Sequence, residues 1–466
     1  MDAAGLLLGV SVSVPAAMLW PGGNATALAL AAVAVVLAVA GGVLYWRRRR
    51  RARRAKAPPP DPAHALKERL RRRLAEPLEA FAPFAGAGPT VGAGEVVEGD
   101  LDAAAKDVLP EAGWRRGVAK HVLRQRLNGD APPGAPNGSE AARWRQLGAL
   151  ALIDDASDAL AAYARAADLA PDDADLQMLL GGLYLRTGRL EVAEATFRRQ
   201  LGLAAGKDGA GPVRYRAGTL LGDALLAKGE RGAALAAYEA ARTEVLALAE
   251  REPETPRWRR DASVAHDRIG DLLLADGQPE PALDCFRRSL EICEALAKAD
   301  PATPARQHDL SVAHDRIGEA LDRKGDLDGA LESHRHGLAL AEAAARLAPD
   351  CADWRWDVSA SHDRIGDVLA AQGSTADALA AYRLGLGIAE ALAAGDPARL
   401  DWQRDLAASC HKIGLLEAQL GREAEAREAL EQGKAIIARL AEVARYQAQW
   451  RADLARFNTA LKGLGP

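Results

Sequence analysis

Aromatic and sulfur-containing residues are scarce in this chain. Phe, Trp and Tyr make up 5% of its 466 residues, and it has four cysteines and three methionines. No two cysteines form a CxxC pair, so the sequence indicates neither a zinc site nor a disulfide framework, and we interpret the cysteines as small buried residues in a reducing compartment. Strand-like alternation of Val, Ile and Thr is hard to find beyond residue 46. Leu and Ala dominate instead, which predicts an all-α protein whose helices pack through small residues.

Sequence signatures of enzymes are missing as well. The chain has no phosphate-binding loop, no HExxH motif, no metal-ligand spacing and no Ser-His-Asp set. We therefore predict that the protein is not an enzyme and that it has no catalytic residue, no cofactor and no metal site.

What the chain does have is a 48-residue internal period. Five glycines, four prolines and four aspartates keep this step: Gly222, Gly270, Gly318, Gly366 and Gly414; Pro253, Pro301, Pro349 and Pro397; Asp261, Asp309, Asp357 and Asp405. A long period indicates stacked supersecondary units, each too small to bury its apolar face alone. Such an array presents a long surface to partners rather than one catalytic pocket.

The repeated motif resembles the tetratricopeptide repeat. That pattern places Gly early in a first helix, then Ala and an aromatic residue four positions apart in a second helix, and Pro at the end. The matching residues are Gly148, Ala159 and Tyr163; Gly181, Ala193 and Phe197; Gly222, Ala234 and Tyr238; Gly270, Ala282 and Phe286; Gly318 and Ala330; Gly366, Ala378 and Tyr382; Gly414, Ala426 and Leu430. The resemblance implies a solenoid of seven helical hairpins. The elongated 48-residue form is similar to the repeats of kinesin light chains and related bacterial arrays.

The extra length of the 48-residue units predicts longer helices. Compared with the usual repeat of about 34 residues, each helix gains about two turns. The fourth unit should therefore form helices over Arg257–Ala275 and Glu280–Ala299. A second glycine in six of the seven units is expected to make the left-handed turn between the two helices, and the periodic prolines to stop the second helix. The second glycines are Gly188, Gly229, Gly277, Gly325, Gly373 and Gly421.

The sequence divides into six parts. They are a transmembrane anchor (1–46), a basic juxtamembrane segment (47–81), a linker with short helices (82–139), two 34-residue units (140–205), five 48-residue units (206–449) and a C-terminal capping helix (450–466). Within the linker, Asp100–Asn128 has the pattern of a helical pair broken near Pro110 and Gly113, whereas residues 82–99 are rich in Gly, Ala and Pro.

The first 46 residues predict a membrane anchor. Residues 26–46 carry no charge and are long enough, as a helix, to span a bilayer core. The apolar segment Ala3–Trp20 forms a second, marginal candidate, so either one helix or a hairpin crosses the membrane. A cleaved signal peptide is the rival interpretation, although the basic block lies on the wrong side for it.

A basic block follows the anchor. Residues 47–73 hold thirteen Lys or Arg and two acids, which predicts that this side faces the cytosol at the inner membrane. Arg47–Lys56 is interpreted as a topology determinant, and contact with anionic lipid is the alternative. Nucleic-acid binding is not expected because no aromatic residues interleave the arginines.

Three units carry the same box of His, Asp, Arg, Ile and Gly, at His266–Gly270, His314–Gly318 and His362–Gly366. These histidines replace the Trp of the family pattern, so we interpret them as packed structural residues. One His per unit is too widely spaced for a shared zinc, and weak pH sensing is the other alternative. His334 and His336 are expected to be a surface pair.

Acidic residues form a stripe along the first helices. In the resembled family this face is a concave groove, and the residues of this chain at its lining positions are Asp267, Asp271, Asp315, Glu319, Asp363 and Asp367. Two interpretations stay open for the stripe. It is either a docking site for a basic or helical peptide, or a charge network in which Arg268, Arg316 and Arg364 bridge neighbouring units.

Together these features predict a bacterial, membrane-anchored cytosolic adaptor that holds a protein or peptide partner in its concave groove. The alternatives are a self-assembling structural array at the membrane and a regulatory subunit of a membrane-associated enzyme complex. Fold alone does not name the partner.

Overall fold

The computed structural model describes residues 66–67, 93–110, 112, 115–127, 140–153, 156–396, 399–443 and 448–464. Over these ranges the regular structure is entirely α-helical. The helices are α1 (Ala93–Asp107), α2 (Arg116–Leu127), α3 (Glu140–Leu152), α4 (Ala156–Leu169), α5 (Ala174–Arg186), α6 (Leu190–Ala204), α7 (Gly211–Ala227), α8 (Arg231–Arg251), α9 (Pro256–Ala275), α10 (Pro279–Ala299), α11 (Pro304–Lys324), α12 (Leu327–Leu347), α13 (Ala352–Ala371), α14 (Thr375–Gly395), α15 (Leu400–Gln419), α16 (Glu423–Val443) and α17 (Ala448–Gly463).

Helices α3 to α16 form seven successive hairpins, which we number repeats 1 to 7. Each first helix packs against the second helix of its own repeat, and from repeat 2 onward it also packs against the second helix of the preceding repeat. This succession of neighbouring helices is the all-α solenoid expected from the internal period. All seventeen helices named above belong to one compact unit of the chain.

Glycine and proline set the helix boundaries as predicted. Six glycines between paired helices have positive φ, a backbone conformation that residues with a Cβ rarely adopt. They are Gly188, Gly229, Gly277, Gly325, Gly373 and Gly421. In repeat 4 the observed helices, α9 and α10, begin within one residue of the predicted starts and end where predicted. Pro253, Pro301 and Pro349 each lie two residues beyond the end of a second helix. Pro397 falls outside the described residues.

A glycine and a ring meet inside most hairpins. A Cβ added to Gly181 would lie 2.5 Å from the Phe197 ring, and one added to Gly148 would lie 2.7 Å from the Tyr163 ring. The same contact recurs in the repeats that follow, with Leu430 taking the place of the ring in repeat 7. The first helix therefore needs glycine so that the two helices can approach around a fully buried side chain.

Repeat 5 fills this position with His334, which corrects one expectation. His334 was predicted to be a surface residue, but it is buried, and a Cβ on Gly318 would lie 2.7 Å from its ring. Its neighbour His336 is exposed and packs edge-to-face on His314. The imidazole of His334 occupies the site that a phenyl or phenol ring occupies elsewhere.

The ends of the array carry additional helices. At the amino-terminal end α1 begins at Ala93, within the segment predicted to be a linker, and the break before α2 falls close to the predicted Pro110 and Gly113. At the other end α17 packs on α16. Its Trp450 and Phe457 are buried in the core of repeat 7.

The predicted anchor (1–46), the basic block Arg47–Lys56 and residues 68–92 lie outside the described residues. Within the described part of the chain, α14 is the helix whose length and apolar composition would allow it to cross a membrane. It is also the second helix of repeat 6, and its Leu379 and Tyr382 are buried in a core cluster of the array.

Candidate partner-binding face

The first helices of the repeats form one face of the solenoid, here called the inner face. It is built from α3, α5, α7, α9, α11, α13 and α15. The residue directly after the first-helix glycine of each hairpin changes along this face, from Ala149 and Gly182 in repeats 1 and 2 to Leu415 in repeat 7. The four repeats between them place an acid there: Asp223, Asp271, Glu319 and Asp367.

A basic residue of the following repeat reaches back to three of these acids. Arg268 bonds to Asp223 at 2.5 Å, Arg316 to Asp271 at 3.1 Å, and Lys412 to Asp367 at 2.7 Å. The two partners are 45 residues apart in all three pairs, because both follow the 48-residue period. These ion pairs therefore join one repeat to the next, as the network interpretation of the arginines predicts.

In repeats 3 and 6 a tyrosine hydroxyl joins the pair. Tyr238 donates to Asp223 and Tyr382 donates to Asp367, each at 2.6 Å. Each ring lies over the glycine of its hairpin and reaches the carboxylate one position further on. Burial, together with the Asp223 charge, raises the pKa of Tyr238 well above its usual value, so this phenol stays a donor. The hairpin core and the inner face are thus connected by one hydrogen-bonded cluster.

The aspartates of the His-Asp-Arg boxes point elsewhere. A Cβ added to Gly337 of α12 would lie 2.8 Å from Asp315 Oδ1, and one added to Gly385 of α14 would lie 3.0 Å from Asp363 Oδ1. These aspartates therefore face the second helix of their own repeat, where a small residue makes room for them. Burial raises the pKa of the equivalent Asp267 to about 6 despite the nearby Arg316 guanidinium.

Each box aspartate is engaged by the protein itself. Asp315 accepts a bond from Arg364 at 2.9 Å and lies 3.1 Å from His334 Nδ1, and Asp363 accepts from Ser409 at 2.6 Å. Asp267 lies 3.4 Å from Arg316. Asp267 and Asp315 are buried, so they are poorly placed to meet a ligand.

Exposure of the charged pairs increases toward the carboxyl end. The side chains of Arg268 and Asp223 are 9% and 6% exposed, whereas those of Glu319 and Asp367 are 56% and 51% exposed. Asp271 is intermediate. Of the six predicted binding residues, Glu319 and Asp367 are therefore the most accessible, and the set as a whole stays a prediction.

The box histidines are half-buried against their neighbours. Burial lowers the pKa of His266 to about 4, with Arg242 and Arg288 adding to the effect, and burial also lowers the pKa values of His314 and His362. They are therefore neutral near pH 7. In the described residues no group of three or more His, Cys, Asp or Glu side chains is arranged to hold a metal ion.

The repeat family follows from a direct match. The tetratricopeptide repeat model matches residues 174–206, which span repeat 2, and residues 407–437 of repeat 7. The chain contains tetratricopeptide repeats. The two matched units are repeats 2 and 7, and repeats 3 to 6 between them have the same helical-hairpin geometry. No curated protein matches the chain in sequence.

Solved structures resemble parts of this chain at low identity. RapI in its apo form is 16% identical with a TM-score of 0.48, covering 79% of this chain and 95% of its own. BtubC from P. vanneervenii is 18% identical with a TM-score of 0.40, covering 51% and 89%. A tetratricopeptide repeat protein from Parabacteroides merdae is 14% identical with a TM-score of 0.40, covering 69% and 99%.

Sequence reasoning missed Asp223 and the tyrosine hydroxyls. Asp223 lies in repeat 3, which lacks the His-Asp-Arg box, so its acid was not placed in the stripe. The signal was available in the spacing, because Asp223 stands 48 residues before Asp271 and 45 before Arg268. Extending the period backwards by one unit would have found it.

Proposed function

We propose that this protein is a membrane-anchored adaptor of the bacterial inner membrane, whose repeats bind a protein partner in the cytosol. Tetratricopeptide repeats imply a protein-interaction scaffold. The single observation that carries the finer proposal is the exposed acidic pair Glu319 and Asp367, which stand 48 residues apart on the inner face, each more than half exposed.

The part of the inner face that carries Glu319 and Asp367 is suited to a basic partner. Asp367 is held by Lys412 at 2.7 Å and Glu319 by Arg323 at 3.7 Å, both in exposed pairs. Exposed ion pairs contribute about 0–1 kcal/mol, so a lysine or arginine of a ligand can replace the internal partner at small cost. Replacing the buried partner of Asp223 would leave Arg268 uncompensated, which costs far more. We therefore place the partner site at repeats 5 to 7.

Affinity capture with the full chain tests this site. The test variant is Glu319→Lys with Asp367→Lys. The matched control is Glu280→Lys with Asp284→Lys, which makes the same charge change at exposed positions of the second helix α10. We expect a partner, identified by mass spectrometry, to be lost with the test variant and kept with the control. Equal retention by both variants would contradict the site.

The anchor is tested separately. Deleting residues 26–46 should release the chain from membranes in a flotation gradient, and proteolysis of intact spheroplasts should leave the repeats uncut. Neutralising Arg47–Lys56 should lower binding to vesicles containing anionic lipid if the block contacts headgroups. Membrane association that survives the deletion would contradict an anchor at 26–46.

A further inference from the structure

The amino-terminal end of the inner face is covered by the chain itself. Helix α1 packs against α3 and against α5, the first helices of repeats 1 and 2. It does not continue the hairpin pattern of the repeats, because it contacts the first helices of two successive repeats. A partner bound in the groove of a repeat array would lie on the same face.

Helix α1 is amphipathic, and its buried apolar side has one acidic residue at its centre. Val97, Leu101 and Ala104 are buried at helical spacing, and Val108 is buried directly after the helix. Asp100 is buried between them, at 7% exposure. A carboxylate in such a place costs free energy unless a partner compensates it, so Asp100 must be recognised by the surface beneath.

Arg145 of α3 recognises Asp100. Its Nε donates to Asp100 Oδ1 at 2.8 Å, and its Nη1 donates to Asp173, which caps α5, at 2.8 Å. One guanidinium therefore fixes α1 over the junction of repeats 1 and 2. The interaction has the charge and geometry of a ligand carboxylate held by a receptor arginine.

Tyr163 shows that Asp100 supplies a group that repeat 1 lacks. In repeats 3 and 6 the tyrosine over the hairpin glycine bonds to the acid that follows the glycine. In repeat 1 that position is Ala149. The hydroxyl of Tyr163 and Oδ2 of Asp100 are both buried and have no other hydrogen-bond partner. Burial raises the pKa of Tyr163, and the charge and hydrogen bonding of Asp100 raise it further.

We propose that α1 is a built-in ligand of the inner face of repeats 1 and 2, and that a partner protein competes for this site with an amphipathic helix carrying Asp or Glu in the place of Asp100. The inference rests on the proposed scaffold function but concerns the opposite end of the face. Because a tethered segment has an effective concentration of about millimolar, α1 weakens the apparent affinity of any external helix.

The probe is a fluorescein-labelled peptide of residues 93–109, titrated by anisotropy against the full chain in nanodiscs. The receptor variant is Asp100→Arg, which places like charge against Arg145. Its control is Ala103→Arg, the same side chain at an exposed position of α1. Hydrogen exchange reports in parallel whether residues 93–107 are protected.

We expect the Asp100→Arg chain to bind the peptide at least tenfold more tightly than the wild type or the control, with protection of 93–107 reduced at least tenfold. A peptide carrying Asp100→Arg should not bind. Wild-type protection of 93–107 in the variant, or lost protection without peptide binding, would overturn the proposal.

A charge swap keeps the test valid if the variant folds poorly. Combining Asp100→Arg with Arg145→Asp should restore protection of 93–107 and suppress peptide binding, and failure to restore either would count against recognition by Arg145. Exchange in α13 to α16 reports folding independently. Peptide binding needs no partner at repeats 5 to 7, so loss of the Glu319 and Asp367 site would leave this result unchanged.

Discussion

At the scale of single residues, the fit between a glycine and a ring determines how closely the two helices of a hairpin pack. The aromatic residues named from the sequence occupy this site because only a flat or compact side chain fits against a glycine backbone. The exception is His334, which the sequence could not assign, since an imidazole seldom fills an aromatic core position without a partner. Asp315 supplies that partner at 3.1 Å, and only the fold brings the two together.

Neighbouring glycines in α5 allow a direct test of this fit. In Gly181→Ala the new methyl would lie 2.5 Å from the Phe197 ring, whereas a Cβ on Gly182 meets nothing within 4 Å. Gly181→Ala should destabilise the array by about 1–3 kcal/mol through overpacking. Gly182→Ala should be neutral or stabilise it by up to about 1 kcal/mol through helix propensity. Urea unfolding of the full chain measures both. A similar loss for the two variants would show that the ring contact is not decisive.

Asp405 should make stability depend on pH. Burial raises its pKa to about 6 despite Arg404, so the folded state binds the proton more tightly than the unfolded state, whose pKa is near 3.8. This contribution opposes folding at pH 7, and the opposition fades as pH falls through about 6 toward about 4.

The half-buried His266 has the opposite pH dependence. Its pKa is lowered to about 4, so it destabilises the folded state increasingly as the pH falls below about 6.5.

The Asp405→Asn variant separates these effects. It should be more stable than the wild type by about 1–3 kcal/mol at pH 7, and the difference should vanish near pH 4. The free energy of unfolding of both chains, measured from pH 7.5 to 4, gives this difference directly. A difference that does not change with pH would mean that Asp405 is ionised normally in the folded state.

At the scale of helices, the 48-residue period predicts the helices of the repeats well, but it predicts the helices outside the repeats poorly. Glycine and proline at fixed steps located α9 and α10 to within one residue, because each has a local backbone reason to stand at a helix end. Helix α1 was expected to start at Asp100 and begins at Ala93. Residues 93–99 have few strong local signals and no repeated copy. Their helix is stabilised by packing on α3 and α5, which a single sequence does not show.

The links between helices should differ in strength along the array. Asp223→Ala would leave the buried Arg268 without its partner, which should cost about 3–5 kcal/mol. Asp367→Ala removes an exposed pair with Lys412 and the hydrogen bond from Tyr382, and should cost less, about 1–2 kcal/mol. Hydrogen exchange in α7 to α9 and in α13 to α15 resolves the two effects locally. Equal costs would contradict the difference in burial.

At the scale of the whole molecule, the repeats form a one-dimensional stack. Each repeat contacts its neighbours, so stability should approximate a sum of repeat and interface terms. The site follows the same logic: the period predicted an acidic stripe, but it could not say which acids are buried. Exposure depends on how neighbouring repeats pack, so Asp267 and Glu319 differ although both belong to the predicted stripe.

Damage at one end should therefore stay local. Phe457 of α17 packs on Gly433, whose added Cβ would lie 2.5 Å from its ring. Phe457→Ala should cost about 3–5 kcal/mol and lower exchange protection in α15 to α17. Protection in α7 to α9 should be unchanged, and a loss of protection there would indicate global rather than neighbour-limited cooperativity.

The 45-residue separation shared by three of the inter-repeat pairs has a consequence for how the gene can change in length. If one whole 48-residue unit is copied or deleted between repeats 4 and 6, a basic residue still meets an acid across each new junction. An insertion of any other length would break the pairing. Unequal recombination within this gene can thus change the length of the array in steps that the fold tolerates, and relatives of different length are expected to differ by whole units.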